Sequence, residues 1–166
     1  YSASEKGVPR KRAEVYTAKE HKIRRRDIDP DAVRIAQRLR GAGHSAYVVG
    51  GAVRDLLLGR VPKDIDLVTD APPRKIKRLF RNSRIIGKRF RLVHVYFREK
   101  IIELSTFRSL EPGDEETVYG TIQEDVQRRD FTLNALYYCP VEEIIIDYIG
   151  GVKDIRSKKV RPLIPL

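Results

Sequence analysis

Three strand-like runs follow one another between residues 84 and 107, and this succession constrains the fold more than any other feature of the sequence. The runs span residues 84–87, 92–97 and 101–107, and all are rich in the Ile, Val, Tyr and Phe typical of strands. A doubly wound parallel sheet alternates strands with helices, which consecutive strands do not. We therefore predict an α+β fold with a mixed, mostly antiparallel sheet of about five strands, flanked by helices.

The remaining elements are predicted from caps and periodicity. Asp29 can cap a helix that begins at Pro30, and Thr121 and Glu124 form a capping box that opens a later helix. Further strands are predicted at residues 46–49, 64–68 and 144–147, and further helices at 52–58 and 72–80. We divide the chain into a basic flexible arm (1–26), a main domain (27–150) and the start of a following region (151–166).

The distribution of charge indicates a polyanionic partner. The net charge is +11, of which residues 1–26 contribute +6 and residues 74–91 contribute +9, so the rest of the chain is slightly acidic. Two basic zones on an otherwise acidic protein are typical of a surface that binds nucleic acid. Solvated basic faces without a ligand remain the alternative for both zones.

Composition argues against several classes of protein. No run of 18 apolar residues is present, so we expect no membrane span. The sequence shows no secretory leader, and its single cysteine, Cys139, cannot form an internal disulfide. We therefore expect a cytoplasmic protein.

Asp64 and Asp66 form the first candidate site. Side chains at i and i+2 of a strand point to the same face, so a strand over residues 64–68 places the two carboxylates together. Such a pair is repulsive unless a cation lies between its members. Mg²⁺ is commonly held by one or two carboxylates together with substrate phosphates. The pair predicts a divalent-cation site, although a solvent-facing alternating strand would show the same pattern.

A glycine pair precedes these carboxylates at the junction of a strand and a helix. Gly50 and Gly51 have no side chains, so a phosphate can approach their backbone closely. Arg54 can add a charge-assisted hydrogen bond to a phosphate oxygen. A phosphate site followed by a carboxylate pair is more informative than either motif alone. For the glycine motif, the alternative is a tight turn with a surface arginine.

Two further segments contribute candidates. Glu103 interrupts an otherwise apolar strand and would complete a three-carboxylate site if that strand lay beside the Asp64 strand. Residues 128–134 read Arg-Arg-Asp-Phe-Thr-Leu-Asn, in which Arg129, Asp130 and Asn134 could bind a triphosphate and ribose hydroxyls. The alternatives are an edge-strand acid and a charged helix face.

Together these motifs resemble the class II RNA nucleotidyltransferases, the family of CCA-adding enzymes and bacterial poly(A) polymerases. The resemblance covers about residues 20–160. It implies a polymerase-β-type nucleotidyltransferase head at 27–150, followed by the start of a neck region. It also implies that Asp64 and Asp66 carry Mg²⁺, with Mn²⁺ as the alternative, that Glu103 assists them, and that Asp130 belongs to the catalytic site. The resemblance further implies that the nucleotide is bound by Gly50, Gly51, Arg54, Arg129 and Asn134.

The stretch 85–97 resembles the signature of the bacterial poly(A) polymerases. This resemblance implies transfer of AMP from ATP to RNA 3′ ends, with Lys88, Arg89 and Arg91 on the RNA backbone. A CCA-adding enzyme and a non-catalytic RNA-binding module remain open. In this family a Glu-Asp-x-x-Arg motif that selects the base follows the head, and residues 151–166 do not contain it, so base choice is not readable from these residues.

Overall fold

The computed structural model describes residues 2–3, 9–10, 13–88, 91–108 and 121–163. The strands are β1 (Ser2–Ala3), β2 (Pro9–Arg10), β3 (Glu14–Tyr16), β4 (Ala46–Val49), β5 (Asp66–Thr69), β6 (Ser83–Ile86), β7 (Leu92–Phe97), β8 (Lys100–Thr106), β9 (Leu136–Cys139) and β10 (Ile144–Asp147). The helices are α1 (Ala18–His21), α2 (Pro30–Gly41), α3 (Gly51–Leu57), α4 (Pro73–Leu79), α5 (Ile122–Gln127) and α6 (Gly151–Arg156), with 3₁₀ turns at Arg25–Asp27 and Thr132–Asn134. In this part of the chain no helix is both long and apolar enough to cross a membrane.

Eight strands form the main sheet, in the order β3-β10-β9-β4-β5-β8-β7-β6. Every neighbouring pair is antiparallel except β5 and β8, which run parallel. The short strands β1 and β2 pair with each other in a separate ladder. The predicted mixed, mostly antiparallel sheet is confirmed, but it has eight strands and not about five.

The sheet packs a core against each of its faces. One face carries Val48, Leu67 and Leu104, which pack with the buried sides of α2, α3, α4 and α6. The other face carries Val49, Val68 and Tyr137 with Val126 of α5. Because β4 and β5 are covered on both sides, their apolar residues are nearly continuous instead of alternating. This central pair is therefore a rigid support for whatever lies at its ends.

Both predicted caps are confirmed. The Asp29 carboxylate accepts a hydrogen bond from the Asp31 N–H (2.8 Å) at the start of α2, and Pro30 occupies the first helical position. At the start of α5, Thr121 Oγ1 accepts from the Glu124 N–H, and the Glu124 carboxylate accepts from the Thr121 N–H, both at 3.3 Å. These local signals fixed the helix starts because they depend only on neighbouring residues.

Residues 13–28 are packed against the sheet, although we assigned residues 1–26 to a flexible arm. β3 pairs with the edge strand β10, and Tyr16, His21 and Ile23 are buried. The His21 ring bridges Glu143 O (2.8 Å) and the Ile23 N–H (2.9 Å). This packing was missed because β3 is short and polar and its partner lies 130 residues away in sequence. The division into a head domain and a neck region stays a prediction.

The junction between β10 and α6 rests on a buried carboxylate. Asp147 accepts hydrogen bonds from the N–H groups of four residues at 2.9–3.2 Å, namely Ile149, Gly150, Gly151 and Val152. A negative charge beside the unpaired amides at a helix start is stabilising. This contact brings α6 against the 3₁₀ turn at Thr132–Asn134, where Thr132 Oγ1 donates to Asp154 (2.5 Å).

The close approach of α6 to this turn generates a prediction for Gly151. A methyl group at Gly151 would lie 2.2 Å from Thr132 O and 3.1 Å from Leu136 Cδ2. Because backbone atoms would have to move, we expect Gly151→Ala to lower the free energy of unfolding by roughly 1–3 kcal/mol. Urea denaturation measures this change.

The matched control is Gly41→Ala at the end of α2, where no atom lies within 4 Å of the added methyl group. This variant should unfold within about 0.5 kcal/mol of the parent. Equal stability of the two variants would contradict the packing described for Gly151.

Candidate active site

The predicted carboxylates lie at the centre of the sheet. Asp66 is the first residue of β5, and it pairs with Val49 of β4 on one side and with Glu103 of β8 on the other. Side chains of directly paired residues point to the same face, so Asp66 and Glu103 project together. The condition we attached to Glu103, that its strand lie beside the Asp64 strand, is met.

Asp64 is not in the strand. β5 begins at Asp66, and Asp64 lies exposed in the preceding segment, so the same-face argument that we applied to residues 64–68 does not hold for it. Its charge nevertheless reaches Asp66. Asp66 is itself exposed, but the protein around its carboxylate excludes part of the solvent, which raises its pKa; the Glu103 and Asp64 carboxylates raise it further, and Arg129 opposes them. The charges of Glu103 and Asp64 therefore both act on Asp66.

The chemistry of these donors fits a hard divalent cation. Oxygen donors that repel one another are stabilised when a cation binds between them. Within the described ranges, no group of three or more His, Cys, Asp or Glu side chains is arranged to hold a metal ion. Mg²⁺ does not require such a cage, because it keeps several waters and often takes only one or two carboxylates. The metal roles of Asp64, Asp66 and Glu103 stay predictions.

Arg54, Asn134 and Asp130 form a hydrogen-bonded series beside the carboxylates. Arg54 Nη1 donates to Asn134 Oδ1 (3.2 Å), and Asn134 Nδ2 donates to Asp130 Oδ1 (3.2 Å). Burial opposes ionisation of Asp130, but the Phe131 N–H (2.7 Å) and the Asn134 amide outweigh it and lower the pKa of Asp130. The fold thus joins the α3 arginine to the segment 128–134, 80 residues further along the chain.

Arg129 is held by two residues that the sequence analysis missed. Its Nη2 donates to the buried Asp125 carboxylate (3.0 Å), and its guanidinium lies 5.5 Å from the centre of the Tyr137 ring. The Tyr137 hydroxyl also donates to Asp125 (2.7 Å). Burial raises the pKa of Tyr137, Arg129 lowers it, and Asp125 raises it. The net shift is upward, so the phenol keeps its proton and remains a donor. These contacts fix the direction in which the Arg129 charge points.

Gly50 brings the backbone close to this cation. Its φ of +70° lies in a region that side-chain-bearing residues rarely adopt, and it allows the chain to turn from β4 into α3. The position of an added methyl group would lie 3.9 Å from Arg129 Nη1. An anion bound at this turn could therefore contact both the backbone and Arg129. Gly51 follows as the first residue of α3, beside the Arg54 guanidinium.

An open pocket of about 390 Å³ unites most of these groups. It is lined by Val49, Gly50, Asp66, Glu103, Ser105, Arg108, Asp125, Arg128, Arg129, Asp130 and Asn134. Gly51, Arg54 and Asp64 adjoin it without lining it. Lys88 is exposed and Arg91 half-buried at the loop before β7, outside this lining, and Arg89 lies outside the described residues.

Only one of the missed residues carried a sequence signal. Asp125 precedes Arg129 by four residues, a spacing at which opposite charges pair on a helix. Tyr137 belongs to β9, a run buried on both faces that has no alternation to mark it as a strand. Its contact with Arg129 follows from the tertiary structure.

The crowding of carboxylates generates a prediction for Asp66. Because the folded-state pKa of Asp66 is raised, its ionised form destabilises the fold above that pKa. Without divalent cations, Asp66→Asn should be more stable than the parent at neutral pH. The difference should fade as pH falls, because the carboxyl group is then protonated in both the folded and the unfolded state. Thermal unfolding across pH 3–8 measures it.

Glu99→Gln is the control for this prediction, since Glu99 is exposed in the turn between β7 and β8. It should leave the unfolding temperature unchanged at every pH. An Asp66→Asn variant less stable than the parent at neutral pH would show that Asp66 is not repelled by its neighbours.

The contacts of Asp125 generate a second prediction. Asp125→Ala leaves the Arg129 guanidinium and the Tyr137 hydroxyl without their shared acceptor, so it should lower the free energy of unfolding by about 2–3 kcal/mol. Tyr137→Phe removes one hydroxyl and should cost about 1 kcal/mol. Chemical denaturation compares the two. If Asp125→Ala cost no more than Tyr137→Phe, the carboxylate would not be the centre of this network.

Both the sequence and the fold of this chain are similar to those of known proteins. The family described as "Poly A polymerase head domain" matches residues 46–161. Poly(A) polymerase I of Escherichia coli O6:H1 (strain CFT073) is 42% identical over 96% of this chain, which spans 38% of that protein.

Two solved structures share the fold. The CCA-adding enzyme of Bacillus stearothermophilus in complex with CTP has a TM-score of 0.71 at 37% identity, covering 82% of this chain and 34% of that one. The CCA-adding enzyme of Thermotoga maritima complexed with tRNA has a TM-score of 0.71 at 26% identity, covering 90% of this chain and 36% of that one. The predicted fold class is thereby confirmed. The chain belongs to the poly(A) polymerase head-domain family, within the class II nucleotidyltransferases that also include the CCA-adding enzymes.

Proposed function

We propose that this chain is the catalytic head of an enzyme that transfers AMP from ATP to the 3′-hydroxyl of RNA without a template. The observation that carries the proposal is the pocket that Asp66, Glu103 and Arg129 line together with Gly50, whose turn lies close to the Arg129 guanidinium. A pocket lined by both carboxylates and arginines suits a metal-bound triphosphate, since the carboxylates can bind the cations and the arginines can bind the phosphate oxygens.

In this proposal the RNA 3′-oxygen attacks the α-phosphorus of ATP in line with the bond to the leaving group. The new bond joins that oxygen to the α-phosphorus, and the bond to pyrophosphate breaks. Asp64 and Asp66 would hold two Mg²⁺ ions, with Mn²⁺ as the alternative, and the pair would supply activation of the hydroxyl and neutralisation of the leaving charge. Glu103 would support these carboxylates from the neighbouring strand.

The remaining residues would position the nucleotide. Arg129, oriented by Asp125 and Tyr137, would bind phosphate oxygens beside the Gly50–Gly51 backbone, and Arg54 would bind a further phosphate oxygen. Asn134 and Asp130 already hydrogen-bond each other and would receive the ribose hydroxyls. Positioning and charge neutralisation are the main contributions a protein makes to phosphoryl transfer.

RNA binding is the second part of the proposal. Lys88, Arg89 and Arg91 would contact the backbone of the RNA close to its 3′ end, and such contacts weaken with salt. Contacts to phosphates do not depend on sequence, which suits an enzyme that extends many RNAs. A cytoplasmic location belongs to the same proposal.

A CCA-adding activity is the second candidate. Identity to poly(A) polymerase I is 42%, against 37% to the CCA-adding enzyme solved with CTP, and the former covers more of this chain. The difference favours AMP addition, but the pocket chemistry is the same for ATP and CTP. A non-catalytic module that retains the fold is the third candidate.

One experiment separates the three candidates. The full natural protein is given a generic RNA oligomer or a tRNA lacking its CCA end, with Mg²⁺ and a single nucleotide. We expect both RNAs to be extended with ATP. CTP incorporation confined to the tRNA would establish the CCA-adding activity instead, and binding without extension under every condition would establish the module.

The carboxylates are tested in the same assay. Asp64→Ala combined with Asp66→Ala should lower RNA extension by roughly 100-fold or more, because it removes the charge that holds the cations. Glu99→Gln, in an exposed turn, should extend RNA at the parent rate. Extension by the double variant at the parent rate would refute the metal assignment.

A further inference from the structure

A basic groove lies around the edge strand β6, at the end of the sheet away from β10. One part, about 830 Å³, lies between α2, α4 and the end of β7. A second part, about 630 Å³, lies beside α4 and β6, and both are lined by Arg81, Asn82 and Tyr96. Six cations line the two parts: Arg34, Arg38, Lys77, Arg78, Arg81 and Arg84. We call the combined surface the edge groove.

The charge of the edge groove is largely uncompensated. Among the residues that the structure describes, no Asp or Glu lines either part. Arg34 pairs with Asp31 (3.4 Å), but no carboxylate in the described ranges lies within ion-pair distance of Arg38, Arg78, Arg81 or Arg84. Like charges brought together in this way repel one another unless an anion binds. The groove therefore favours an anionic ligand that spans several cations.

Aromatic rings lie among these cations. The half-buried Phe80 ring lies 5.8 Å from the Arg38 guanidinium carbon, and the half-buried Tyr96 lines both parts of the groove. Single-stranded nucleic acids bind to surfaces of this composition, since the cations contact the phosphates and the rings stack on bases. An acidic protein segment would pair with the cations, but its carboxylates would not stack on the aromatic rings.

A row of paired residues leads from the candidate active site to the β6 edge, around which the edge groove lies, while α2 and α4 pack on the opposite face of the sheet. Glu103 of β8 pairs with His94 of β7, and His94 pairs with Arg84 of β6, so these side chains share the face of Asp66. His94 Nε2 lies 3.8 Å from the Glu103 carboxylate. Three strand spacings separate Asp66 from Arg84, about 14 Å. The charge along this row changes from acidic to basic.

We propose that the edge groove binds the segment of single-stranded RNA that precedes the reacting 3′ end. The backbone of this segment contacts Arg38, Arg81 and Arg84, and a base stacks on Tyr96. That the bound RNA is the same molecule whose 3′ end reacts rests on the proposed function. Binding of single-stranded RNA by the groove does not depend on catalysis, so the two can fail separately.

The test uses the full natural protein with Arg38→Glu and Arg81→Glu combined. Fluorescence anisotropy measures the binding of an RNA of about 15 nucleotides. Extension kinetics give the KM for this RNA and the KM for an RNA of about 3 nucleotides, which is too short to reach the groove. We expect the Kd and KM for the longer RNA to rise about tenfold or more and the salt dependence of its binding to weaken. The KM for ATP, and that for the short RNA, should stay at the parent value.

Two further variants sharpen the test. Lys158→Glu with Lys159→Glu makes the same change in net charge at exposed residues after α6, on the opposite half of the sheet, and should leave both constants unchanged. Tyr96→Ala removes the stacking ring without altering charge and should weaken binding of the longer RNA about tenfold. Circular dichroism confirms that each variant is folded.

Several outcomes would overturn the proposal. It fails if the groove variant binds the longer RNA like the parent, if the Lys158/Lys159 control loses as much affinity, or if the parent binds no RNA. It also fails if polyglutamate of matched charge competes as well as RNA, which would identify a surface for acidic proteins. A parent that binds RNA through the groove but extends none would refute the proposed function and leave the groove assignment standing.

Discussion

The parallel pairing of β5 with β8 is the contact on which the candidate active site depends. It sets Asp66 beside Glu103 in the only parallel pair of the described sheet, while Asp64 adds its charge from the preceding segment. Such a cluster opposes folding unless the surrounding structure holds it in place. Here β4 and β5 are covered by apolar cores on both faces, so the central strands tolerate repulsion at their ends.

The segments that carry Arg129 and Asn134 are held in place by carboxylates that are fully partnered. Asp125 holds Arg129 and Tyr137, Asp154 accepts from Thr132 and Arg161, and Asp147 binds four backbone amides at the start of α6. Each is buried, and a buried charge requires such partners. The molecule thus separates two kinds of acid: partnered ones that hold the segment 128–134 in place, and mutually repelling ones that face the pocket.

The arginines of the candidate active site and those of the edge groove lie in different parts of the fold. Arg129 and Arg54 lie among carboxylates at the centre of the sheet, where their geometry is fixed by hydrogen bonds. The arginines of the edge groove lie at the sheet edge and have few partners. Fixed cations suit the precise placement of a small ligand, whereas unpartnered ones suit a flexible polyanion bound with little sequence preference.

The sequence by itself determined the features that depend on neighbouring residues. The caps at Asp29 and Thr121, the glycine turn at Gly50 and the succession of strands from 83 to 106 were all predictable, because turn geometry, capping and apolar runs are local. The sequence also singled out Gly50, Asp66, Glu103 and Arg129, which the fold brings to one pocket, while their chemical roles stay predictions.

Tertiary structure decided the rest. β3 forms only because β10 offers an edge, and β9 has no periodic signal because both its faces are buried. Asp64 lies outside β5, and Arg129 is oriented by a tyrosine from another strand. The edge groove joins arginines of α2 to a basic segment about 40 residues later. Contacts between distant segments are set by how sheet and helices bury their apolar faces together, which no local pattern encodes.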